Sequence, residues 1–151
     1  MSGKSFILYF AVIIFALKGI AWADAAYGFE SAGKQYNIAP ELLKAISKIE
    51  SNHRADAVHL NTNKSVDVCH MQINSSTWRK ELGFRWDYLG HPEYCTMVGA
   101  WILRGCIERY GYNWDAVACY HTGYSLADAP SEKKRLNGIA YIQRVKQALQ
   151  N

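Results

Sequence analysis

The stretch Glu41-Leu42-Leu43-Lys44-Ala45-Ile46-Ser47-Lys48-Ile49-Glu50-Ser51, taken up again at Asp67-Val68-Cys69-His70-Met71-Gln72-Ile73-Asn74, decides how the rest of the chain is read. Leu42, Leu43, Ile46 and Ile49 fall at i, i+1, i+4 and i+7, which is one apolar face of a helix. Glu50 adjoins that face, so its carboxyl points at the interior edge rather than at bulk water. A carboxyl in a low-dielectric site has a raised pKa and is a candidate general acid. Asp67 follows 17 positions later. Two carboxylates brought together by a helix and a returning strand suit cleavage of a glycosidic bond.

Working outward, Pro40 sits in the first turn of this helix, where its missing N–H costs nothing. Before it, Tyr27, Phe29, Ala32 and Tyr36 describe a first helix ending near Tyr36. After it, the polar run from His53 to Ser65 contains Asn61-Thr62-Asn63-Lys64, which is turn chemistry. Val66, Val68 and His70 then alternate with Asp67, Cys69 and Met71, predicting a small β-hairpin or irregular ribbon that carries Asp67. Ser75, Ser76 and Thr77 offer N-caps for a helix at Trp78. Phe84, Trp86, Tyr88 and Leu89 form an aromatic loop, either closing the core or offering sugar platforms. A long helix starts at His91-Pro92-Glu93, with Val98, Trp101, Ile102, Gly105, Cys106 and Tyr110 as its buried stripe. Gly99 and Gly105 are expected to allow close helix contact, and Gly111 to end the helix. Asn113 or Trp114 opens the next helix, which closes at Tyr120-His121-Thr122-Gly123. Ser125 to Arg135 reads as a loop, and a last helix is expected from about Asn137. The expected fold is mainly α with a small β-hairpin, an α+β arrangement.

The 151 residues, half of them hydrophobic, suit one domain with its own core. Residues 1–23 are read as a secretory signal peptide: Lys4 precedes the apolar run from Phe6 to Leu17, and Ala21-Trp22-Ala23 is an A-x-A cleavage pattern. Residues 24–151 are then the mature domain, exported to the periplasm. Removing the leader takes Lys4 and Lys18 and lowers the net charge from +4 to +2. That mild charge argues against a nucleic-acid partner. The absence of C-x-x-C pairs and of histidine ligand spacing argues against a metal site. Four cysteines in an exported chain imply two disulfides, with three pairings open. Cys106–Cys119 is preferred because both lie on helices joined by a tight glycine-containing turn. Cys69–Cys95 then remains.

Glu50-Ser51, Met71-Gln72-Ile73-Asn74, Gly99-Ala100-Trp101-Ile102-Leu103, Tyr120-His121-Thr122-Gly123 and Tyr141-x-x-Arg144-Val145 occur in this order across nearly the whole mature chain. Each motif alone is weak. As an ordered set they resemble the lysozyme-like lytic transglycosylases, in particular the small exported members that serve secretion systems and pili. The resemblance implies a goose-type lysozyme-like fold acting on peptidoglycan glycan strands, beside a component of a secretion apparatus; no cofactor is expected, and the chain is expected to be a monomer. The resemblance implies cleavage of the MurNAc-β-1,4-GlcNAc bond with formation of 1,6-anhydro ends, and Glu50 as the catalytic glutamate. It also implies that Tyr120 helps hold Glu50, that Tyr141 lines the same site, and that Ser51, Met71, Gln72, Asn74 and His121 contribute to substrate binding. Three departures stand out: Cys69-His70 replaces the usual Gly-Leu, His121-Thr122 replaces the usual Asn-Ala, and Asp67 lies where it could face the anomeric carbon. Asp67 reads either as a stabiliser of an oxocarbenium-like transition state or as a turn carboxylate. With Asp67 as a full partner the chain would be a lysozyme-type hydrolase. A peptidoglycan-binding module without turnover is the reading from outside enzymology. His70 is expected to be structural.

Overall fold

A computed structural model of the protein describes residues 26–150. The segment expected to be a signal peptide, residues 1–23, lies outside the described residues. In chain order the elements are α1 (Phe29–Tyr36), α2 (Pro40–Ser51), β1 (Val58–Leu60), β2 (Val66–Val68), β3 (Ile73–Asn74), α3 (Ser75–Leu82), a 3-10 segment (Gly83–Gly90), α4 (Pro92–Tyr110), α5 (Trp114–Thr122) and α6 (Glu132–Ala148). The fold is therefore mostly helical with a small antiparallel sheet. The ribbon gains a third short strand over the expected hairpin: the order is β1-β2-β3, with His59 and Asn74 on either side of Asp67.

Helix α4 is the axis of the core. Cys95, Val98, Ala100, Ile102, Leu103, Cys106 and Ile107 are all buried, because α1, α2, α5, the sheet and the 3-10 segment pack around it. The expected stripe is corrected at Trp101 and Tyr110, which are half-buried, and at Gly105, which is exposed. A Cβ at Gly105 would meet nothing within 4 Å, so that glycine is not needed for close contact. Gly99 is: a Cβ there would come 2.6 Å from the Met71 side chain. Within the aromatic segment Trp86 and Leu89 join the core, whereas Phe84 and Tyr88 are exposed.

Helix α2 stops where its sequence stops favouring it. Asn52 takes the left-handed conformation, φ 55°, and its N–H caps the Lys48 carbonyl. Glu50 thus lies in the last turn. Helix α3 is capped by Asn74 rather than by the serines that follow: its side chain accepts from the N–H groups of Ser76 and Thr77. Helix α6 begins at Glu132, five residues earlier than the apolar periodicity indicated. Ser131 caps it by accepting from Lys134 N–H, and Glu132 pairs with Arg135 at 2.6 Å. That first turn is exposed and charged, so no apolar pattern announces it.

Both preferred disulfides are present, Cys69–Cys95 and Cys106–Cys119. The first pins the turn after β2 to α4, and the second joins α4 to α5. The same turn is fastened from below by His70, which is fully buried. Its Nε2 lies 3.0 Å from the Pro92 carbonyl and its Nδ1 2.8 Å from Ser47 Oγ. A carbonyl only accepts, so Nε2 carries the proton and Nδ1 accepts from the Ser47 hydroxyl. Ser47 in turn accepts from His53 Nδ1 at 2.9 Å. Tyr27 and Phe29 meet the His70 ring edge to face, with centroids at 4.8 and 5.8 Å. His70 is thus a structural residue, as expected.

Two outcomes follow from this packing. Complete reduction of the disulfides should lower stability by on the order of 3 kcal/mol for each bond lost, read as a fall in melting temperature; a fully reduced protein melting with the oxidised one would contradict it. Burial, opposed by the Pro92 bond and aided by His53, pushes the His70 imidazole from 6.5 down to about 4. The unfolded chain then binds a proton that the native state refuses, so this residue's contribution to stability is lost as pH falls from 6.5 through 4. An NMR titration should find His70 still neutral at about pH 5.5; a midpoint near 6.5 would overturn the buried, neutral assignment.

Candidate active site

Four elements converge on Glu50: the end of α2, the turn after β2, α5 and α6. Helix α6 reaches the site because it approaches α5 closely at Gly138, where a Cβ would lie 2.9 Å from Leu126 and 3.4 Å from Ala118. One turn later Tyr141 is fully buried on the same face, and its hydroxyl donates to Glu50 Oε1 at 2.6 Å. Burial raises the Glu50 carboxyl from 4.5 to about 7; the Tyr141 bond and the Arg144 charge pull it down, and Asp67 pushes it up. Glu50 is therefore poised between its acid and its base forms at neutral pH, the condition for a group that must donate and then accept a proton. Burial beside Glu50 also raises the Tyr120 and Tyr141 hydroxyls well above their ordinary value, so both stay neutral donors.

The two tyrosines have exchanged the expected roles. Tyr141, not Tyr120, holds the glutamate. The Tyr120 hydroxyl donates instead to the Met71 carbonyl at 2.8 Å. The reason is positional: α6 brings Tyr141 against the end of α2, whereas Tyr120 on α5 faces the turn that carries Met71. Tyr120 remains close enough for the Glu50 charge to be felt at its hydroxyl.

That turn runs through Cys69, His70, Met71 and Gln72, with Cys69 and Gln72 at φ 60° and 52°. Such angles are costly for non-glycine residues, so the turn exists because its surroundings impose it. The disulfide holds Cys69, and Met71 N–H meets Cys95 Sγ at 3.3 Å. Ser51, next to Glu50, donates to the His70 carbonyl at 3.1 Å and so ties the helix end to the turn. Gln72 closes the loop by donating from Nε2 to the Cys69 carbonyl at 2.9 Å.

Several residues expected to contact substrate are engaged within the fold. The Met71 side chain is fully buried against Gly99, so only its backbone borders the site. Ser51 is buried and committed to the turn. Asn74 is taken up as helix cap and tether: its Nδ2 donates to Asp67 Oδ1 at 2.6 Å and to Ser65 Oγ at 3.1 Å. Gln72 is half-buried and keeps its side-chain oxygen.

Asp67 accepts from two side-chain amides, Asn74 on Oδ1 and Asn61 on Oδ2, the latter at 2.9 Å. These bonds orient it on the central strand, and its charge acts on both Glu50 and His121. His121 stacks on Tyr141 with parallel rings 4.3 Å apart, and as a residue it stays exposed. Cover on the stacked side, together with Arg144 and Lys134, lowers its imidazole pKa, while Asp67 raises it. His121 is thus a neutral, accessible ring stacked on the tyrosine that bonds Glu50. Arg144, quoted in the sequence without a role, lies over Tyr141 with its guanidinium carbon 5.6 Å from the ring centre. Its i+3 spacing from Tyr141 was the available signal. The Ser47–His53 link under the site had none. Among the described residues no cluster of three or more His, Cys, Asp or Glu side chains converges as a metal would need.

Residues 28–142 match the family model described as the Transglycosylase SLT domain. The chain is 38% identical over 122 residues to Invasion protein IagB of Salmonella typhimurium, covering 78% of this chain and 74% of that protein. It is 38% identical over 109 residues to Protein IpgF of Shigella flexneri, covering 70% and 69%. It is 28% identical over 138 residues to X polypeptide of Escherichia coli, covering 89% and 78%. The ordered motifs, the lysozyme-like helical fold and a half-buried glutamate held by a tyrosine agree with the match: the chain belongs to the SLT transglycosylase family and is a lytic transglycosylase.

Proposed function

We propose that the enzyme cleaves the MurNAc-β-1,4-GlcNAc bond of peptidoglycan with Glu50 as its acid and base. The observation that carries this reading is a carboxyl pushed to about 7 and held by the Tyr141 hydroxyl. Protonated Glu50 gives its proton to the glycosidic oxygen as the bond from that oxygen to the muramoyl anomeric carbon breaks. The C6 hydroxyl of the same muramoyl residue then attacks the anomeric carbon, and the Glu50 carboxylate takes the hydroxyl proton. Atoms balance without water: the products are a free 4-hydroxyl on one side and a 1,6-anhydro ring on the other. No enzyme nucleophile is required, because the attacking group is already tethered to its target at high effective molarity.

Positive charge develops at the anomeric carbon during this step. Asp67 is the anion assigned to stabilise it, and its two amide bonds fix the direction in which it faces. The electrostatic link between Asp67 and Glu50 supports placing both in one site. His121 and Gln72 keep polar atoms for the sugar. The setting is the periplasm, reached through the signal peptide of residues 1–23, with the domain of residues 24–151 acting as a monomer. Similarity to a protein named for invasion supports a role in opening the wall for a secretion apparatus.

Glu50→Gln should keep the Tyr141 bond and the fold while lowering lysis of purified peptidoglycan by about 10²–10⁴-fold, the usual worth of a general acid. Lysis near the wild-type rate would remove Glu50 from the mechanism. The same variant carries a stability signature. Between pH 4.5 and about 7 native Glu50 retains a proton that the unfolded chain has released, so wild-type stability falls as pH rises through that window. The variant lacks this loss, and its advantage should grow by on the order of 2–3 kcal/mol from about pH 4 to about pH 8; a pH-independent difference would contradict the raised carboxyl. Asp67→Asn should slow lysis at least about tenfold with the sheet intact. An unchanged rate would reduce Asp67 to a turn residue.

A further inference from the structure

Glu50 has to serve in both protonation states within one turnover, and burial alone would bias it toward the acid. The groups that face it can be named element by element. From α5 comes the neutral Tyr120, from β2 the anionic Asp67, and from α6 Tyr141 and Arg144. Tyr141 donates one hydrogen bond, and Asp67 repels the carboxylate. Arg144 is the cation in this set. Its guanidinium is seated over the Tyr141 ring, 5.6 Å from the centre, and the hydroxyl of that ring lies 2.6 Å from Glu50 Oε1. Among the described residues Arg144 forms no ion pair that would neutralise it, and it is exposed.

The geometry points to Arg144 as a positioning residue that sets the acid–base balance of Glu50, offsetting burial and Asp67 so that the carboxylate becomes available for the second proton transfer. The Tyr141 ring is the seat that holds the guanidinium by a cation–π contact. His121, stacked on the same ring, limits where the ring can move. The arrangement couples three side chains to one carboxyl: His121 orients Tyr141, Tyr141 bonds Glu50 and carries Arg144, and Arg144 supplies the field. This role rests on Glu50 being the proton donor, and the test separates the two claims.

The test compares wild type with Arg144→Met, which keeps a long apolar stem and removes the charge, and with Arg144→Lys, which keeps a charge. Two measurements are made on each folded protein, with the melting temperature as a control. In the ligand-free enzyme, carbon NMR of labelled glutamate carboxyls follows Glu50 directly. Arg144→Met should move its midpoint up by about 0.5 pH unit or more, and Arg144→Lys by less. In lysis of purified peptidoglycan, the limb of kcat/KM that falls on the alkaline side should move up with it. The maximal rate should drop severalfold as the base form becomes scarce. An unchanged Glu50 midpoint in Arg144→Met overturns the inference, whatever the rate does. A midpoint that moves while the alkaline limb stays upholds Arg144's effect on Glu50 but removes Glu50 as the proton donor, and so overturns the part of both residues in catalysis.

Discussion

The hydrogen bond from Tyr141 to Glu50 is the contact on which the rest of the site depends. It joins the last turn of α2 to the middle of α6, 91 positions away. For the bond to form, α6 must lie close to α5, which Gly138 permits, and α2 must end after Glu50, which Asn52 enforces. It also resolves a conflict. A buried carboxyl is costly when charged, and a buried tyrosine hydroxyl is costly when unpaired. Each satisfies the other, and the remaining imbalance is the raised pKa that acid–base chemistry uses.

The turn from Cys69 to Gln72 forms the opposing wall, and it is held by means that differ in kind. The disulfide fixes one end covalently. His70 plugs the core beneath it. Tyr120 and Ser51 fasten its carbonyls from α5 and α2. A turn with two non-glycine residues in left-handed conformations needs such reinforcement. The replacement of the usual Gly-Leu by Cys69-His70 thus exchanges a permissive backbone for a clamped one. The strand beside it carries Asp67, whose amide partners leave it oriented but charged. The contact that holds Glu50 and the carboxylate opposite it therefore come from separate elements, Tyr141 on α6 and Asp67 on β2.

Much of this was legible in the chain because it follows from periodicity and covalent logic. The α2 pattern placed Glu50 at an interior edge. The cysteine positions and a short glycine turn favoured the disulfides that form. What escaped reading depends on which of two similar side chains reaches a target. Tyr120 and Tyr141 are equivalent as letters, and only helix placement decides that the second holds Glu50. Met71 and Asn74 sit in a motif that suggests sugar contacts, yet burial against Gly99 takes the first, and helix capping takes the second. The early start of α6 was hidden because a solvated, charged first turn has no apolar period. Ser47 gave no signal, since a lone serine on a helix face reveals its partner only when His70 and His53 are brought to it.

The central claim is that a single carboxyl, held by Tyr141, moves one proton out and one proton back while the substrate closes on itself. Mass spectrometry of the soluble products from purified peptidoglycan tests this most directly. The account predicts 1,6-anhydromuropeptides from the wild-type protein, lighter than reducing-end products by one water. Reducing muropeptides as the main product would contradict it, because water rather than the C6 hydroxyl would then be the group that Glu50 activates.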